Sequence, residues 1–144
     1  MESHLTDIAR VIQLAVAPVF LLTAIATLIT ALNNRLGRIV DRRRVMQERA
    51  CSLAEDQSAE ARGELEVLAR RARLIYLAIL FAVLGALLIC LVVAGAFIGA
   101  LVSIDLARGV AGLFILAMFA LVACLSLFLR EVYLAVSGGS HMAR

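Results

Sequence analysis

The chain has 144 residues, 63% of them hydrophobic, and its mean hydropathy is +0.99. Soluble domains are about 45–50% apolar and cover their surface with polar side chains; here the apolar residues lie in long blocks that no charged residue interrupts, so a water-facing globule is excluded. All 14 basic residues are arginine, against 11 acidic ones, for a net charge of +3.

The first apolar block covers residues 11–32, VIQLAVAPVFLLTAIATLITAL. About 20 apolar residues wound at about 1.5 Å each match the roughly 30 Å hydrocarbon core of a bilayer. Ala24-Ile25-Ala26 imitates a signal-peptide cleavage site. However, Glu2 and Asp7 replace the expected basic cluster, the block is long, and a basic stretch follows it, so it reads as a retained span. Pro18 lies inside it, and a mild kink is expected where neighbours satisfy the freed carbonyl.

A charged segment at 33–73 follows. Two more apolar blocks, 74–102 and 109–129, are separated by the short connection Ser103-Ile104-Asp105-Leu106-Ala107-Arg108. Asp105 and Arg108 are three residues apart and are expected to pair. The stretch 136–139 reads as an irregular end, and Gly139-Ser140-His141-Met142 reads like a cloning-vector remnant, set aside with its histidine. The expected organisation is an outer amino terminus with the first span over 1–32, an arginine-rich cytoplasmic hairpin over 33–73, the second and third spans over 74–136, and a disordered tail over 137–144.

Topology follows from arginine placement. Ten arginines fall in 33–73, while the amino-terminal segment has only Arg10 and the second connection only Arg108. Loops rich in arginine near span ends stay cytoplasmic. The amino terminus is therefore expected outside and the carboxyl terminus inside, and Arg130 at the inner end of the third span agrees.

The charged segment has helical periodicity. Ile39, Met46 and Leu53 recur every seven residues, and Leu65, Leu68, Ala72 and Ile75 step by three and four into the second span. Between them, Asp56 and Ser58 are helix-capping candidates. The fold class expected is all-α: three transmembrane helices, the first two extended about 30 Å into a cytoplasmic antiparallel hairpin. Met46 reads as gap-filling within the seam. Arg44 with Glu48, and the series Arg38, Asp41, Arg44, have spacings that bring side chains together on a helix. Arginines nearest the spans would meet anionic lipid headgroups. Seven acidic residues in the same segment, with no aromatic residue for base stacking, argue against nucleic-acid binding.

One face of the first span is polar. At 100° per residue, Thr23, Thr27, Thr30, Asn34 and Asp41 fall within an arc of about 60°. Val16 and Phe20 continue roughly the same face without polarity. Such a stripe is either a contact surface between helices or a water-lined surface. In the second case Thr23, Thr27, Thr30 and Asn34 wet a pore, Val16 and Phe20 form an apolar constriction, and Arg38 and Asp41 supply charge rings at its mouth. Three helices cannot enclose such a path alone, so this reading requires a symmetric homo-oligomer passing inorganic ions, with cations slightly favoured because Asp41 lies nearer the stripe's centre. Gly95 and Gly99, a Gly-x-x-x-Gly pair, and Gly109 and Gly112 offer close-packing material.

The sequence offers little for catalysis. Cys51, Cys90 and Cys124 show no pairing or metal spacing, and His4 stands alone near the terminus. No nucleophile–base set or phosphate loop is visible, and no span has an ionisable residue near its centre. Neither an enzyme nor a cofactor is expected. The alternative to a channel is a non-conducting interaction or scaffold protein that docks a partner on its hairpin.

Two stretches, Ala15-Val16-Ala17-Pro18-Val19-Phe20-Leu21-Leu22-Thr23-Ala24 and Asn34-Arg35-Leu36-Gly37-Arg38-Ile39-Val40-Asp41-Arg42, resemble a bacterial membrane-protein family known as domain of unknown function 2721. The resemblance covers nearly the whole chain. It implies three spans with a cytoplasmic charged segment, and carries no catalytic residue or substrate.

Overall fold

Each apolar block is part of a longer helix. In a computed structural model, which describes residues 2–52, 55–102 and 105–139, helix α1 spans Glu2–Ala50, α2 spans Glu55–Val102 and α3 spans Ala107–Gly139. No strand occurs among the described residues. All three helices are long and apolar enough to cross a membrane, over Leu5–Ala50, Ala59–Val102 and Ala107–Ser137. The protein is therefore an all-helical membrane protein. The 49 residues of α1 reach about 70 Å at the α-helical rise, over twice the thickness of the hydrocarbon core. Pro18 lies inside α1 without ending it.

Burial on every helix repeats at steps of seven. The buried positions are Ile25, Leu32 and Ile39 on α1, and Leu68, Ile75, Ala82 and Ile89 on α2, interleaved with Ala78 and Val92. On α3 they are Ala117, Cys124 and Glu131, with Ala120 beside them. A seven-residue period keeps one seam facing its neighbours along the helix. The alanines on α2 and α3 let backbones approach closely, which matters in lipid, where apolar side chains gain little by leaving the hydrocarbon. Large apolar side chains such as Phe20, Leu101, Phe119 and Leu129 point outward, as lipid contact requires.

The chain forms two compact units. The first combines Met1–Ile29 with Phe81–Ala123. In it, a Cβ placed on Gly95 would stand 3.1 Å from Val110 Cγ2, so this glycine allows α2 and α3 to approach. A Cβ on Gly112 would meet nothing within 4 Å. Gly95 of the Gly-x-x-x-Gly pair is thus used within the chain. The second unit combines Thr30–Leu80 with Cys124–Arg144, and its core holds Leu32, Ile39, Leu68, Ile75, Cys124 and Glu131.

The helix ends differ from the sequence expectation in three places. Helix α3 continues through Gly139, where an irregular end from residue 136 was expected; extending an established helix needs only one further residue to be fixed per hydrogen bond. Asp105 does not pair with Arg108, and the ion pairs among the described residues lie elsewhere. Instead its Oδ1 accepts the Ala107 N–H at 3.1 Å, a local turn that leads into α3. Finally, α2 begins at Glu55, so Asp56 and Ser58 fall in its first turn; their side chains, like Leu53 of the expected seam, lie outside the described residues. At the end of α1, the Ser52 hydroxyl donates to the Arg49 carbonyl at 2.8 Å and satisfies one terminal acceptor.

Candidate functional site

Rotation of 100° per residue places the stripe of α1 about 180° from its buried seam of Ile25, Leu32 and Ile39. All the residues singled out on this face are exposed: Val16, Phe20, Thr23, Thr27, Thr30, Asn34, Arg38 and Asp41. The chain's own packing therefore leaves each of these residues exposed. The Thr27 hydroxyl donates to the Thr23 carbonyl at 3.0 Å, and Thr23 to the Val19 carbonyl at 3.4 Å. Such back-bonding satisfies the hydroxyl hydrogen yet leaves oxygen lone pairs facing outward. Asp41 also borders a shallow hollow of about 400 Å³ with Arg42, Val45, Met46 and Arg49.

A second polar feature lies inside the packing of the second unit. Glu131 occupies the α3 seam position seven residues after Cys124 and is 1% exposed. Arg35 on α1 donates from Nη1 to its Oε2 at 2.7 Å. Arg71 on α2 donates to its Oε1 from Nη2 at 2.9 Å and from Nε at 3.3 Å. The Arg35 guanidinium also sits over the Phe128 ring, 5.1 Å from its centroid, in cation–π geometry. One carboxylate thus ties all three helices together.

The chemistry of this triad is positional. Both carboxylate oxygens are held by guanidinium donors, the strongest kind of side-chain hydrogen bond, one on Oε2 and two on Oε1. Two cations and one anion leave a formal excess of one positive charge. Both arginines retain some exposure, 35% and 23%, where the excess can be solvated. Because Arg35 immediately follows Asn34, pinning its guanidinium inward within the second unit goes with Asn34 being turned outward there.

Sequence reasoning passed over this triad. The apolar block at 109–129 stops two residues short of Glu131, and in the sequence Arg35 and Arg71 stand out only as members of the basic cluster that sets topology. The signal was present in the spacing: Ala117, Cys124 and Glu131 share one heptad position, so an acid at 131 falls on a packed seam and needs cationic partners.

A family model described as "Protein of unknown function (DUF2721)" matches residues 15–139. The chain belongs to this family. The match covers the α1 stripe and all three residues of the triad in this DUF2721 protein. Comparison with curated proteins and with solved structures finds no match.

Proposed function

We propose that this DUF2721 protein is a homo-oligomeric membrane channel with α1 lining a central pore. The observation that carries the reading is the outward placement of the stripe. Thr23, Thr27, Thr30 and Asn34 lie opposite the seam on which α1 packs against its own chain. A face bearing hydroxyls, an amide and then charges is poorly matched to acyl chains. Several copies around an axis would turn it toward water instead. Val16 and Phe20 then form an apolar constriction able to gate by dewetting, and Arg38 and Asp41 ring the mouth.

The arginine distribution supports an orientation with the amino terminus outside and 33–73 in the cytoplasm of a bacterial inner membrane. Within the second unit, the shared grip of Arg35 and Arg71 on Glu131 supports α1 and α2 continuing past the bilayer side by side as an antiparallel hairpin. Current recordings from reconstituted protein test the channel reading. A cation-selective conductance is expected, and Asp41→Asn should move the reversal potential toward zero in a salt gradient. Absence of current across a range of voltage and pH contradicts conduction, and an unchanged reversal potential removes Asp41 from the selectivity element.

A second reading, a non-conducting scaffold, is favoured by one observation: Val40, Val45 and Val67 are exposed apolar residues within the charged segment. Purification from native membranes separates the two. A stoichiometric heterologous partner supports the scaffold, and a ring of identical copies supports the channel.

A further inference from the structure

The seam of α1 stops being buried on the amino-terminal side of Ile25. Val11 and Pro18 hold the same heptad position, and they and neighbouring Ala15 remain partly exposed. Within the first unit, the space beside them is a cavity of about 1100 Å³. Its opposite wall is built from small residues, among them Gly95, Ala96 and Gly99 of α2 and Ala111 of α3. The volume slightly exceeds the range of about 300–1,000 Å³ typical of small-molecule sites. On α1 the lining runs from Asp7 to Leu21, about 21 Å at the α-helical rise, which exceeds the roughly 15 Å of one hydrocarbon leaflet.

The polarity of the lining is segregated. Asp7, Arg10 and Asp105 are its charged members, at the start of α1 and just before α3, and the walls toward Leu21 and Phe114 are apolar. Its apolar walls offer few of the two to four polar partners that an ordered water needs. A helix of a second copy would have to insert beside all three charges. The lining instead matches an amphiphile whose tail lies along the helices and whose head meets two carboxylates and one guanidinium.

We propose that this cavity is a binding site for a zwitterionic phospholipid with a primary ammonium headgroup. The acyl chains occupy the wall of small residues, the ammonium meets Asp7 and Asp105, and the phosphate meets Arg10. An anionic phospholipid would satisfy Arg10 but place no cation against the two carboxylates. The site lies on the α1 face opposite the polar stripe, so it is independent of whether the protein conducts.

The test uses the full chain purified in mild detergent and offered equal amounts of phosphatidylethanolamine and phosphatidylglycerol with identical tails, the retained lipid being counted by mass spectrometry. The ethanolamine lipid is expected in clear excess. Asp7→Asn should reduce that excess, and Arg10→Gln should weaken retention of both lipids about tenfold, the loss of a charged hydrogen bond. Ala111→Trp, which fills the cavity, should remove the bound lipid, whereas Leu87→Trp on an outward face should not. Retention of both lipids in the offered ratio overturns the proposal, as does retention unchanged by Ala111→Trp. Should Ala111→Trp fail to fold, the exposed Asp7 and Arg10 variants decide: an unaltered lipid ratio in Asp7→Asn together with unaltered retention in Arg10→Gln overturns it equally.

Discussion

Glu131 shows how one residue can constrain three helices. With its side chain 1% exposed and both oxygens bonded to arginine, removing its charge leaves two guanidiniums facing each other without an anion. Glu131→Gln should therefore cost about 3–5 kcal/mol, the usual penalty for breaking a buried pair from one side. Thermal unfolding in detergent measures it. Replacing all three members, Glu131→Leu with Arg35→Leu and Arg71→Leu, should recover most of the loss, because an apolar cluster has no desolvation penalty to offset. A triple variant as unstable as Glu131→Gln would mean that the arginines stabilise the protein by contacts outside the triad. The surface pairs are different in kind. Arg44 with Glu48 at 3.9 Å and Arg70 with Glu66 at 3.8 Å are highly exposed, and their loss should be hardly measurable.

At the scale of the helices, the two kinds of glycine should behave oppositely. Gly95→Leu must push Val110 aside and should destabilise by about 1–3 kcal/mol. Gly112→Ala meets open space and should gain up to about 1 kcal/mol from helix propensity. Denaturation of the two variants checks both signs. The helices themselves were legible in the sequence because apolar blocks of bilayer length and steps of seven through Ile39 and Met46 are local patterns. The stripe was legible for the same reason, since helical geometry alone groups Thr23, Thr27, Thr30 and Asn34. Which way that stripe faces at Asn34 was not, because Arg35 beside it meets a carboxylate 96 positions away. Asp105 misled for a related reason: its three-residue spacing to Arg108 suits a helix, but Asp105 precedes α3 and bonds to the backbone instead.

For the molecule as a whole, α1 carries a seam buried at Ile25, Leu32 and Ile39 and an exposed polar stripe on its opposite side. The proposed ring of subunits follows from that division, with the arginine-rich continuation of α1 and α2 on the cytoplasmic side. Accessibility of single cysteines in the reconstituted assembly tests this most directly, using a charged, membrane-impermeant thiol reagent after Cys51, Cys90 and Cys124 have been replaced. Thr23→Cys, Thr27→Cys, Thr30→Cys and Asn34→Cys should react, while Ile25→Cys and Leu32→Cys, half a turn away, should stay protected. Protection at all four stripe positions would contradict a water-filled path along α1.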